Sequence, residues 1–144
     1  MKKGLFIVGV FFLILLVVFR PEAPQVNKKT TVRIGPQTFK AEVFDTPSTR
    51  VLGLSSRKSL PQDEMVLFIF EKEDLYRIWM KDMNFPIDIM WLDKNKRLIH
   101  IEESVSPDTY PRVFYPTTKS LYVIETNSNF VLQHGIKIRD TIDF

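Results

Sequence analysis

The residues whose types and spacing could do chemistry lie mainly between positions 76 and 95. This stretch contains both tryptophans of the chain and three of its five methionines. It also contains a carboxylate, Asp88, between Ile87 and Ile89. An unpaired carboxylate inside an apolar strand would cost several kcal/mol, so Asp88 requires either hydrogen-bonding partners or a functional role.

Two interpretations of Asp88 follow from its surroundings. In the functional one, Asp88 lies near the mouth of a β domain with Lys81 close by, and it binds a polar or cationic ligand or acts as a general base. In the structural one, its carboxylate accepts hydrogen bonds from backbone N–H groups of the adjoining loop, residues 81–86, and thereby fixes that loop. A single aspartate without a recognisable partner does not by itself indicate catalysis.

Other side chains could complete a ligand site around Asp88. Side chains alternate along a strand, so Trp79 and Lys81 share one face, and the lysine indicates that this face reaches water. The long proline-rich segment 104–118 adds polar and aromatic groups, as a lid or as a plug over the end of the domain. The candidate ligand-binding residues are therefore Trp79, Lys81, Asp88, Arg112 and Tyr115. The alternative is that the tryptophans and methionines form ordinary core.

Several kinds of chemistry are excluded or disfavoured. The absence of cysteine rules out disulfides, thiolate metal sites and a cysteine nucleophile. His100 and His134 are far apart and belong to no metal-binding spacing, so we expect no metal and no cofactor. No G-x-S-x-G or phosphate-loop motif occurs. No run of four basic residues occurs either, so nucleic acid is not an expected partner.

The N-terminal sequence predicts attachment to a membrane. Residues 4–19 form an uncharged apolar run of 16 residues, which as a helix would span about 24 Å. We predict a signal anchor over 1–20, with Lys2 and Lys3 in the cytoplasm, a tether over 21–30, and an extracytoplasmic domain over 31–144. The membrane is then a partner through residues 4–19. The alternative is a cleaved signal peptide and a secreted protein, although Ala23 lacks an A-x-A pattern.

The sequence of the domain predicts a succession of short strands. The strands are predicted at 31–34, 37–44, 65–70, 76–80, 87–92, 97–102 and 121–125. Thr46 and Pro47 predict the start of a helix to about Leu54, which would bury Val51, Leu52 and Leu54. A second short helix is predicted to end at His134. These elements predict an α+β fold, mainly antiparallel β, as a small barrel or sandwich with two short helices.

Four sequence blocks resemble the DUF192 (UPF0127) family of small, functionally uncharacterised prokaryotic proteins. The blocks are Asp45-Thr46-Pro47 with Gly53-Leu54, Arg57 to Pro61 leading into Leu67-Phe68-Ile69-Phe70, Trp79-Met80-Lys81 with Pro86-Ile87-Asp88, and Tyr122 to Asn127 with His134-Gly135-Ile136. The resemblance implies a small β-rich fold behind a signal or anchor, and it implies no established activity. Ser48 and Thr49 stand where the family usually has two glutamates, so the carboxylate of a helix capping box is lost.

The sequence thus supports three hypotheses of function. The first is a membrane-anchored extracytoplasmic domain that binds a small polar ligand or a partner protein of the envelope. The second is a hydrolase acting on envelope material with Asp88 as general base. The third is a purely structural module. Whether the chain is an enzyme stays open at this level.

Overall fold

The computed structural model describes residues 28–144. The predicted anchor, 1–20, and residues 21–27 of the predicted tether lie outside this part of the chain. Within 28–144 no helix is both long and apolar enough to cross a membrane. The elements are β1 (Lys28–Ile34), β2 (Gln37–Phe44), α1 (Pro47–Leu52), β3 (Glu64–Asp74), β4 (Ile78–Trp79), β5 (Ile87–Leu92), β6 (Leu98–Val105), a 3-10 turn (Pro107–Thr109), β7 (Val113–Phe114), β8 (Ser120–Asn127) and α2 (Phe130–His134).

The core of the fold is one six-stranded sheet in the order β1-β2-β3-β8-β5-β6. Every neighbouring pair is antiparallel except β2 and β3, which run parallel. A parallel pair needs a crossover connection, and the segment carrying α1 supplies it. The predictions of an α+β fold, of mainly antiparallel pairing and of two short helices are confirmed.

The prediction of a closed barrel is wrong, because the edge strands of the six-stranded sheet, β1 and β6, do not pair with each other. Among the eight strands of residues 28–144, β4 and β7 form a separate two-stranded sheet. The C-terminal segment instead joins the two edges at one end of the sheet. It forms isolated bridges between Asp143 and Arg33 on β1 and between Thr141 and Arg97 just before β6.

Both faces of the sheet are buried, each against its own apolar cluster. On the first face, α2 and the C-terminal segment cover a cluster that includes Met65, Met90, Ile124, Val131 and Ile142. On the second face lies a cluster that includes Leu54, Phe68, Met80, Trp91 and Phe114. Coverage on both faces explains why all six residues of β5 are buried, whichever way their side chains point.

The first helix is shorter and less buried than the sequence predicts. Thr46 caps it, and the Thr49 hydroxyl accepts from the Thr46 backbone N–H at 3.2 Å, so a hydroxyl takes the place of the family's carboxylate in the capping box. The helix ends at Leu52. The predicted burial of Val51 and Leu52 is wrong, since they are 79% and 60% exposed, whereas Leu54 is buried.

Candidate functional site

Asp88 is fully buried and its carboxylate is held by backbone N–H groups. Oδ1 accepts from Ser104 N at 2.7 Å and from Asn129 N at 3.2 Å, and Oδ2 accepts from Val131 N at 2.9 Å. These donors come from the irregular end of β6 and from the start of α2, not from the 81–86 loop that the sequence suggested. This geometry favours the structural interpretation, in which Asp88 fastens α2 and β6 to β5.

The other candidate residues lie on the surface. Trp79 is 52% exposed and its ring lies 5.9 Å from Lys81 Nζ and 6.1 Å from the Tyr110 ring. Arg112 lies over the Phe114 ring, and Tyr115 is 58% exposed. Trp79 lines the cavity described next, whereas Asp88, Lys81, Arg112 and Tyr115 do not. The predicted five-residue site is therefore not assembled around one cavity.

A cavity of about 530 Å³ lies on the second face of the sheet. Its walls are α1 with the residues that follow it, the end of β3, and β4. Its lining is mostly apolar and includes Val51, Leu52, Phe68, Phe70, Ile78, Trp79, Met83 and Ile87. A cavity of this size, apolar with few polar groups, has the usual character of a small-molecule site.

The buried polar group in this cavity is the carboxyl of Glu125. Glu125 lies on the central strand β8, opposite Val66 of β3 and Ile89 of β5, and its side chain faces the same side as theirs. The residue is only 5% exposed. In residues 28–144 no hydrogen bond to its carboxyl is found. Desolvation raises the pKa of Glu125 to about 8, against the opposing charge of Arg57, so the carboxyl is mainly neutral at pH 7.

A second carboxylate belongs to the same row of the sheet. Glu42 of β2 is in register with Val66, which is in register with Glu125, so the two glutamates are separated by one strand. Two strand spacings place their Cα atoms about 10 Å apart. Arg57 forms a bidentate ion pair with Glu42, at 2.7 and 2.9 Å, which raises the pKa of Arg57. Both hydrogen bonds that Arg57 donates to a carboxylate go to Glu42, and none goes to Glu125.

Arg50 fixes the wall of the cavity formed by α1. Its Nη1 donates to the Asp45 and Ile69 carbonyls, both at 2.8 Å, and its Nη2 donates to Glu71 at 3.0 Å. These bonds join the helix to β3, so α1 keeps its position although its own side chains are exposed. The backbone bonds are the stronger part of this attachment, since the Glu71 side chain is largely solvated.

Sequence reasoning missed Glu125, although a signal for it was present. In β8 the alternation puts Val123 and Glu125 on one face and Ile124 on the other. Val123 and Ile124 are both apolar although they point to opposite faces, a pattern that predicts a strand covered on both sides and therefore a buried Glu125. The same argument applies to Asp88 in β5, but it is Glu125, not Asp88, that faces a cavity.

Taken together, the fold and the cavity define a small α+β domain with a mostly apolar cavity and a buried carboxyl in its lining. The family model of DUF192, described as "Uncharacterized ACR", matches residues 29–144, and the chain belongs to this family. The resemblance seen in the four sequence blocks is thus confirmed. A comparison with curated proteins found no match.

Two solved structures share this fold. A candidate transcription regulator from Sinorhizobium meliloti 1021 is 24% identical, with a TM-score of 0.79 over 84% of this chain and 97% of that one. A protein of unknown function from Novosphingobium aromaticivorans DSM 12444 is 22% identical, with a TM-score of 0.74 over 87% of this chain and 90% of that one. At these identities the likeness shows the fold alone.

Proposed function

We propose that the domain binds a small amphipathic molecule in the cavity lined by Glu125. The observation that carries this proposal is the Glu125 carboxyl, which is only 5% exposed, accepts no hydrogen bond from residues 28–144, and lines a cavity of about 530 Å³. No fully buried side-chain oxygen or nitrogen in these residues lacks a partner, so the Glu125 oxygens remain accessible from the cavity. A bound molecule that forms a hydrogen bond with this carboxyl in largely apolar surroundings is stabilised by it.

The lining defines the chemistry of the ligand more narrowly than the sequence did. The apolar walls favour an apolar body, and the neutral carboxyl of Glu125 favours one uncharged polar group that can accept or donate a hydrogen bond. An anionic group beside Glu125 would have to be desolvated, whereas the two cations that line the cavity and form no ion pair within residues 28–144, Lys72 and Arg77, are exposed, so that solvent screens their attraction for it. The ligand is therefore amphipathic with a neutral polar end, rather than polar throughout.

The hydrolase hypothesis has less support. Asp88, its proposed general base, is fully buried and accepts three backbone hydrogen bonds, so a substrate has no access to it. Glu125 has a pKa suited to acid–base work, but catalysis also needs a second group near the reacting atoms. The other carboxyl in the lining, Glu71, is paired with Arg50. Binding requires Glu125 alone.

We further propose that the domain is held outside the cell membrane by residues 4–19, with an envelope protein as an alternative partner. The apolar run and the preceding lysines support this placement. The mass of the mature protein in membrane fractions tests it. A full-length mass supports the anchor, and a product beginning near Glu22 or Pro24 contradicts it.

Three probes with one chain and different ends test the binding proposal. Octanol, octylammonium and octanoate have the same apolar body and a neutral, cationic or anionic end. Near neutral pH we expect octanol to raise the melting temperature of the full chain more than octanoate does. Binding of octylammonium requires the ionised form of Glu125. The rise in melting temperature that octylammonium causes should therefore increase as the pH rises through about 8.

Variants of Glu125 separate specific binding from general apolar partitioning. Glu125→Gln keeps a neutral hydrogen-bonding group and should retain octanol binding but lose the pH dependence for octylammonium. Glu125→Leu removes the polar group and should abolish the discrimination among the three probes. Glu103→Gln, on the exposed part of β6, is the matched control and should behave as the wild type. Equal shifts for all probes in the wild type and in Glu125→Leu would refute the proposal.

A further inference from the structure

The mouth of the cavity carries an exposed apolar surface, which we call the rim patch and define as Val51, Leu52 and Trp79. These side chains are 79%, 60% and 52% exposed, and all three line the cavity. They come from two different elements, α1 and β4, so they are not a single exposed residue of the kind that any surface shows. Clustered exposed apolar residues mark interaction sites, and tryptophan favours the interface between a bilayer and water.

Basic side chains line the same cavity or lie close to the β4 part of the rim patch. Lys72 and Arg77 line the same cavity, Lys81 lies beside the Trp79 ring, and Arg112 precedes Val113, the partner of Trp79 in the small sheet. Among the ion pairs of residues 28–144, none involves any of these four cations. Cations without an ion-pair partner beside an apolar patch are complementary to anionic headgroups.

The chain enters the domain beside the same helix. Lys28, the first described residue, places its Nζ 2.7 Å from Asp45 Oδ2, immediately before α1. Only eight residues, 20–27, separate Lys28 from the apolar run that ends at Phe19. At about 3.3–3.6 Å per residue, this linker keeps Lys28 within about 30 Å of the run. An anchored run would therefore hold the rim patch at a high local concentration near the bilayer.

We propose that the rim patch docks on an anionic lipid surface. Val51, Leu52 and Trp79 enter the headgroup region, and Lys72, Arg77, Lys81 and Arg112 contact the headgroups. This orientation turns the mouth of the cavity toward the bilayer, which would give an amphipathic molecule a path between the membrane and the cavity. The proposal concerns the surface and does not depend on what the cavity binds.

Fluorescence quenching of Trp79 provides the test. The full chain is reconstituted into vesicles of phosphatidylcholine and phosphatidylglycerol, in which the acyl chains are unlabelled or brominated near the headgroup. Trp91 is fully buried and serves as an internal reference, because brominated lipid cannot approach it. We expect brominated lipid to reduce Trp79 emission roughly twofold, and Trp79→Phe to remove the effect. Omitting phosphatidylglycerol should weaken it.

A matched pair of variants identifies the surface responsible. Val51→Asp with Leu52→Asp should abolish the quenching without unfolding the domain, because both side chains are exposed. Leu132→Asp makes the same kind of change at a residue that is 71% exposed on α2, on the opposite face of the sheet, and should leave quenching unchanged. Absence of quenching, equal loss in both variants, or cross-linking of two copies through the rim patch would overturn the proposal.

Discussion

At the scale of single residues, two buried carboxyls in adjacent strands have opposite environments. Asp88 accepts three backbone hydrogen bonds on the first face of the sheet, whereas Glu125 meets no donor on the second face within residues 28–144. Hydrogen bonds stabilise an ionised carboxylate, and desolvation destabilises it. The difference explains why one residue holds the fold together and the other is available to a ligand.

The pH dependence of stability should report the Glu125 carboxyl. Burial raises its pKa from 4.5 to about 8, so between these values the folded state holds a proton that the unfolded state has lost. The free energy of unfolding from this group therefore falls as the pH rises, by at most about 1.4 kcal/mol per pH unit, and levels off above the folded-state pKa.

Urea unfolding of the wild type and Glu125→Gln at several pH values measures this contribution. The amide does not titrate, so the variant should have the flatter profile, and its stability relative to the wild type should increase up to about pH 8. The comparison uses the slopes of stability against pH rather than absolute stabilities, because the buried amide of the variant also has no hydrogen-bond partner within residues 28–144. Parallel profiles in the two proteins would contradict the raised pKa.

The Asp88 carboxylate should matter for stability rather than for binding. In Asp88→Asn an amide NH₂ replaces one oxygen and faces backbone donors that need an acceptor, a change expected to cost about 1–3 kcal/mol. Chemical denaturation should show this loss, while octanol should stabilise the variant as much as the wild type. Asp108→Asn, at an exposed position in the 3-10 turn, is the control and should change neither quantity. If a folded Asp88→Asn protein no longer bound octanol, Asp88 would have to take part in ligand binding.

At the scale of elements, the sequence predicts where helices and strands begin and how side chains alternate better than it predicts which strands pair. β2 and β5 have the predicted bounds, and Thr46 with Pro47 starts α1 as expected. The parallel pairing of β2 with β3 and the separate β4–β7 sheet were not predictable, because strand pairing depends on contacts distant in sequence. The exposure of Val51 and Leu52 was missed for a related reason: apolar residues at helical spacing do not reveal whether another element covers them.

The end of α1 depends on Gly53, and so does the wall of the cavity that follows it. Gly53 has φ 51° and ψ −134°, a combination that strains any residue with a Cβ. An added Cβ would lie 3.6 Å from Phe68 Cζ, which is an ordinary contact. Gly53→Ala should therefore cost about 1–3 kcal/mol through backbone strain alone. Gly135→Asn is the control, since φ 61° and ψ 30° suit asparagine, and it should cost much less in the same denaturation assay. Equal losses would argue against the strain.

At the scale of the whole molecule, a short C-terminal segment joins the two edges of the sheet at one end. Its backbone bonds to β1 at Arg33 and to the start of β6 at Leu98, and Ile142 between these contacts is fully buried in the first cluster. The sequence could not show that the segment joins two edges, because β1 and β6 lie far apart in the sequence and their position at the edges depends on long-range pairing. Open sheet edges can pair with other chains, so covering them protects the molecule from association.

Ile142 should therefore contribute more to stability than its position near the terminus implies. Ile142→Ala removes fully buried methyl groups and is expected to cost about 2–5 kcal/mol. Ile138→Ala, in the same segment but 48% exposed, is the matched control and should cost much less. Urea midpoints give the two losses, and size-exclusion chromatography should show increased self-association for Ile142→Ala, because loosening the segment exposes the end of each edge strand. A small and equal effect of the two substitutions would mean that the edges are held without this segment.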